Sequence, residues 1–98
     1  MAQPLTNTVT VLCEHGLHLR AASRIVTLSR RFQSTVWLTA HNKSAKAGSI
    51  LGILELGVKQ GDRVLLGADG PDAEQALQML AGLFDDRFRD SPRPESIR

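Results

Sequence analysis

The sequence predicts an α+β fold: a four-stranded, mostly antiparallel sheet covered on one face by three helices, in the order β-α-β-β-α-β-α. Three observations lead there. Apolar spacing switches along the chain between a period of two and a period near 3.6. Each switch is punctuated by Gly, Pro, Asn or Asp. The chain has 98 residues, 42% of them hydrophobic, which is enough for one domain with a modest core. A sheet with one apolar face needs one covering layer, so the architecture is an open-faced sandwich. Aromatics are few (Trp37, Phe32, Phe84, Phe88), so the core is aliphatic.

Thr8 to Leu12 alternates threonine with valine and reads as the first strand, with Val9 and Val11 on one face. Cys13 to Gly16 is a loop. From Leu19 to Arg31 the spacing is helical. Ala22, Ile25, Val26 and Ser29 share a face, while Arg20, Arg24, Arg30 and Arg31 lie largely elsewhere. Phe32 closes the helix onto the core. Thr35 to Ala40 is β-rich, with Val36 and Leu38 on one face and Trp37 on the other. His41-Asn42 makes a hairpin turn, and Lys43 to Ala47 returns as a short polar edge strand.

Ser49 is suited to cap a short helix from Ile50, and Gly57 to end it. Gly52 weakens that helix by up to about 1 kcal/mol relative to alanine. Arg63 to Ala68 is the fourth strand, between turns at Lys59-Gln60-Gly61-Asp62 and Asp69-Gly70-Pro71. Asp72 with Gln75 reads as a capping box. The stripe Ala76, Leu77, Leu80, Leu83, Phe84 marks the last helix. Residues 1–86 form the domain. Residues 87–98, charged and proline-containing, read as a disordered tail.

The net charge is +2, and stacking aromatics are scarce, so a nucleic-acid-binding module is a weak alternative. Strongly salt-dependent oligonucleotide binding would be its signature. One cysteine, Cys13, excludes an internal disulfide framework. The N-terminal residues lack a basic and an apolar signal region, and no apolar run spans a bilayer. A cytoplasmic monomer without cofactor, metal or membrane insertion is the expectation.

The segment Gly16-Leu17-His18-Leu19-Arg20-Ala21-Ala22-Ser23 carries the chemistry. It puts His18 at the threshold of a helix. The first turn of a helix has backbone N–H groups without intrahelical partners and a partial positive charge, and it suits an anion such as phosphate. A neutral imidazole there is a possible nucleophile. Arg20 would add charge-assisted hydrogen bonds to a phosphoryl group. On these residues alone, a cap or surface histidine is the competing reading.

The motif Gly16-Leu17-His18-x-Arg20, the stretch Lys43-Ser44-Ala45-x-Ala47-x-Ser49-Ile50-Leu51-Gly52, and Leu56-Gly57-Val58-Lys59-Gln60-Gly61 resemble the HPr family. So does Ala68-Asp69-Gly70-Pro71-Asp72-Ala73-Glu74-Gln75-Ala76-Leu77. These are histidine-containing phosphocarriers of the phosphoenolpyruvate-dependent phosphotransferase system. The resemblance covers about Thr6 to Phe84, and the ending Ala81 to Phe88 is similar to the nitrogen-branch version, NPr.

The resemblance implies an HPr-like open-faced β-sandwich and a relay rather than a free-standing enzyme. Enzyme I would phosphorylate His18 on Nδ1, and His18 would pass the group to an EIIA-type protein. The output would be sugar uptake, or, in the nitrogen branch, regulation by phosphorylation-dependent protein binding. Backbone N–H groups of Leu19 and Arg20, in a first turn completed by Ala21, would meet the phosphoryl oxygens. Each dipole-type contact is worth about 0.3–1 kcal/mol at an exposed site, weak enough for the group to leave.

The family implies docking by Ile50 and Leu51, and the helix arginines, Arg24 among them, would steer an acidic partner. Ser49 aligns with a serine that a dedicated kinase phosphorylates in some relatives, although its capping role alone explains the residue. Two departures stand out. Ala21 replaces the usual proline, which restores an N–H in the first turn. His15 stands where relatives carry small or polar residues. It is expected to shape the loop, since two histidines without further ligands make a poor metal site.

Overall fold

The computed structural model describes residues 3–88. In chain order it contains β1 (Leu5–Thr10), α1 (Leu19–Ser29), β2 (Thr35–Ala40), β3 (Lys43–Lys46), α2 (Ile50–Glu55), β4 (Arg63–Asp69) and α3 (Ala73–Asp85). The sheet runs β1-β4-β2-β3 and every pairing in it is antiparallel. Val36, Leu38, Val64, Leu66 and Ala68 line its inner face, against Ile25 of α1, Ile53 of α2 and Leu80 and Phe84 of α3.

β1 lies earlier in the chain than the threonine–valine alternation suggests. Pairing decides this: Leu5 stands opposite Ala68 and Thr10 opposite Arg63, where β4 begins. Val11 is past the ladder yet fully buried. Its N–H donates to the Asp62 carbonyl at 2.9 Å, and its carbonyl accepts the Gly61 N–H at 2.8 Å.

α1 buries Ala21, Ala22, Ile25 and Val26 and exposes Arg20, so its amphipathic reading holds. It ends two residues before Arg31, where Arg31 and Phe32 donate to carbonyls only three residues back, at Leu28 and Ser29. His41 and Asn42 join β2 to β3 with φ of +54° and +63°, the left-handed pair that a tight two-residue hairpin needs. On the outer face, Trp37 pairs across the ladder with Gly67. A Cβ on Gly67 would lie 2.3 Å from the indole, so the glycine makes room for the ring.

The Ser49 hydroxyl caps α2, accepting the Gly52 N–H at 3.0 Å, as expected. The expected capping box at α3 does not form. Asp72 is the N-cap residue, but its side chain makes no capping bond. Its carboxylate accepts the N–H groups of Gln33 and Ser34, each at 3.0 Å, and the Ser34 hydroxyl. Three donors from the approach to β2 outcompete one helical amide.

The fold also continues past Asp86. Arg87 donates to the Phe84 carbonyl and Phe88 to the Leu83 carbonyl, a Schellman ending with Arg87 in the left-handed region at φ +57°. Phe88 is buried and meets Phe84 edge to face, with ring centroids 4.8 Å apart. Arg87 and Phe88 therefore belong to the domain rather than to the expected tail. The remainder of that tail, 89–98, lies outside the described residues.

Candidate functional site

The loop before α1 is built around Gly16. Its φ of +66° is in the left-handed region, and a Cβ there would lie 2.3 Å from the Val58 carbonyl oxygen. Only glycine satisfies both conditions. The Gly16 N–H donates to the Cys13 carbonyl at 3.1 Å. The Gly16 carbonyl accepts the Cys13 thiol at 3.0 Å and the His18 N–H at 3.1 Å. Leu17 is buried and donates to the Val58 carbonyl, while the Gln60 side-chain amide donates to the Leu12 carbonyl. The loop is thus fastened to the α2–β4 connection, about 40 residues away in sequence.

Burial pushes the Cys13 thiol up from its usual value of 9.0, despite hydrogen bonds that act the other way. The sulfur is a protonated donor to Gly16, and it acts as a structural residue of the loop.

His18 occupies the N-cap of α1 in an extended conformation, φ −86° and ψ −178°. Its side chain makes no capping hydrogen bond and is half-buried. The first intrahelical bond runs from the Ala22 N–H to the His18 carbonyl at 2.9 Å, so the amides of Leu19, Arg20 and Ala21 come before the helical ladder begins. Arg20 is exposed, and Ala21 is buried where the usual proline would sit.

The sequence paired His15 with His18 only as a poor metal site and expected His15 to shape the loop; it did not place the two rings side by side. The His15 ring stands beside the His18 ring, with centroids 6.1 Å apart and planes at 74°. The signal available was two histidines three residues apart across a glycine. Among the described residues, no group of three or more His, Cys, Asp or Glu gathers to hold a metal ion.

Leu19 and Leu51 are 63% and 67% exposed, on helices α1 and α2, which pack against each other. Ile50 packs partly against the core. Arg24 and Arg31 line a shallow depression between α1 and α3 with Ser23, Thr27, Leu28 and Leu83. No described helix is long and apolar enough to cross a membrane.

Residues 5–86 match the family model described as the PTS HPr component phosphorylation site. The chain belongs to the HPr family. It is 35% identical over 86 residues to a phosphocarrier protein HPr of Xylella fastidiosa, covering 88% of this chain and 97% of the relative. It is also 34% identical over 84 residues to a phosphocarrier protein NPr of Shewanella violacea, covering 86% and 92%. An HPr crystal structure from Thermoanaerobacter tengcongensis superposes with a TM-score of 0.81 at 38% identity, covering 86% of this chain and 94% of that one. The HPr fold, the open sheet with three helices on one side, is therefore this chain's fold. Like its relatives, it is a small phosphocarrier of the phosphotransferase system.

Proposed function

We propose that this HPr-family chain relays a phosphoryl group through His18. The Nδ1 lone pair attacks the phosphorus of phosphohistidine on Enzyme I. A new P–N bond forms, the donor P–N bond breaks, and its electron pair returns to the donor imidazole. The reverse sequence then delivers the group to a histidine of an EIIA-type protein. The observation that carries this reading is the His18 side chain, held at the start of α1 without a capping bond. Leu19, Arg20 and Ala21 present the first-turn amides, and the Arg20 guanidinium adds charge.

Partners dock on Leu51, Ile50 and Arg24. An exposed apolar residue suits a transient interface, and the helix arginines would steer an acidic partner to it. The chain turns over no free small molecule of its own and works in the cytoplasm as a monomer. Ser49 is the candidate for a serine kinase, since phosphate there would sit at the start of α2 beside that docking surface.

The output is sugar uptake. A second reading, the nitrogen-branch regulator, stands beside it because the chain is 34% identical to an NPr against 35% to an HPr. Phosphorylated chain offered to sugar-type and nitrogen-type EIIA proteins separates the two by which acceptor is labelled.

The decisive experiment incubates the chain with Enzyme I and phosphoenolpyruvate and measures intact mass, with His18→Ala in parallel. One acid-labile phosphate on wild type and none on the variant is the expected result. Labelling of the variant, or of neither, removes the proposal.

A further inference from the structure

We infer that His15 is a second contact for the phosphoryl group, donating a ring N–H to a phosphoryl oxygen carried on His18. This rests on the phosphocarrier reading above and assigns a role to a side chain that reading leaves unused.

Gly16 makes the juxtaposition. Its left-handed φ reverses the chain between the two histidines, and the Cys13, Val58 and His18 bonds around it fix that reversal. The result is two imidazoles with centroids 6.1 Å apart and planes at 74°. A phosphoryl group on a His18 nitrogen extends outward from that ring's edge, so one of its oxygens can come within hydrogen-bond distance, about 2.7–3.2 Å, of a nitrogen on a ring this close. Direct ring-to-ring hydrogen bonding does not fit the separation.

The relative orientation also matters. Near-perpendicular planes let the edge of one ring, where the nitrogens are, point toward the space beside the other. His15 is exposed and can turn to meet the incoming group, whereas His18 is half-buried. The amides of Leu19, Arg20 and Ala21 approach a phosphoryl group from the helix, and His15 approaches from the loop. The contact forms only when the phosphoryl group is present, because the unmodified His18 offers nothing for His15 to bind across that distance.

A hydrogen bond to a dianion stabilises the phosphorylated form relative to the free one, so it shifts the phosphotransfer equilibrium with Enzyme I. The test measures that equilibrium by intact mass at fixed ratios of phosphoenolpyruvate to pyruvate, for wild type and for His15→Ala, His15→Phe and His15→Asn. Alanine removes the group, phenylalanine keeps a ring without a donor, and asparagine keeps a donor without the ring.

The expected result is a shift of about three- to tenfold against phosphorylation in His15→Ala and His15→Phe, with His15→Asn within about twofold of wild type. A loop-shaping role predicts the opposite order, with Phe rescued and Asn not, and that order overturns the inference. So does an unchanged equilibrium in His15→Ala. Thermal melts of each variant identify any loss of fold, and His15→Asn then carries the comparison with wild type. If wild type itself accepts no phosphoryl group, both this inference and the phosphocarrier reading fall. Labelling of wild type with no effect of His15 removes this inference alone.

Discussion

Asp72 and Ser34 hold each other by a reciprocal set of bonds. The carboxylate accepts the Ser34 N–H at 3.0 Å and the Ser34 hydroxyl, and the same hydroxyl accepts the Asp72 N–H at 3.2 Å. The Ser34 hydroxyl first, then the Gln33 amide, holds the Asp72 carboxyl below its usual 3.8. Asp62 is lowered likewise, first by the Lys59 amide at 2.8 Å and then by His41 at 2.9 Å. A carboxyl lowered in the folded state stabilises fully above its unfolded value, and that stabilisation is lost as pH falls through the folded one. The melting temperature is therefore expected to decline as pH falls below 3.8. Asp72→Asn should melt lower at neutral pH and lose less on acidification, which thermal melts across pH measure. Equal acid sensitivity of wild type and variant would contradict this.

Gly16→Ala should cost about 2–4 kcal/mol, since it combines a left-handed backbone with a clash against a backbone oxygen. Urea unfolding measures the loss. A change below 1 kcal/mol would mean that the Val58 segment yields easily, and that the loop is less firmly fastened than its bonds imply.

Ser49 has a capping role that can be separated from any regulatory one. Ser49→Ala should destabilise by about 1 kcal/mol, while Ser49→Asp, which can still accept the Gly52 N–H, should stay close to wild type. If Ser49→Asp nevertheless slows transfer from Enzyme I, negative charge at the docking surface is responsible. If transfer is unchanged, the serine's role is the cap.

Phe88→Ala should cost about 3 kcal/mol, the low end for a buried aromatic, measured by urea unfolding. Removing Arg87 and everything after it should do at least as much. Arg87→Gly should gain about 0.5–1 kcal/mol by relieving a left-handed non-glycine residue.

Ala21→Pro restores the usual family residue at a position before the first intrahelical bond. No helical hydrogen bond is lost, so stability should change by less than about 1 kcal/mol. The rate of phosphoryl transfer from Enzyme I should stay within about tenfold by stopped-flow quench, a barrier change of about 1.4 kcal/mol. An increase of orders of magnitude would show that the alanine leaves the first turn poorly organised.

Much of this fold was legible because its signals are local. The face of α1 is written in the spacing of Ala22, Ile25 and Val26, the α2 cap in Ser49, and the hairpin in His41-Asn42. The misplaced features are those decided at a distance. The threonine–valine alternation places β1 too late because β4, and not that alternation, sets its limits. Asp72 matches a capping box, but donors 38 and 39 positions away claim its carboxylate. Phe88 looked like part of a charged tail because its partner is a ring one helical turn back, past a left-handed residue that composition does not reveal. His18 and Arg20 stood out from their motif, whereas the position of His15 depends on one backbone angle at Gly16.

The single tryptophan lies on the bare side of the sheet, over Gly67, away from the three helices. Its fluorescence is therefore a built-in optical gauge of the sheet. It should shift when the strands part and stay constant while proteins come and go on the helical side, so folding and association can be followed separately in one cuvette.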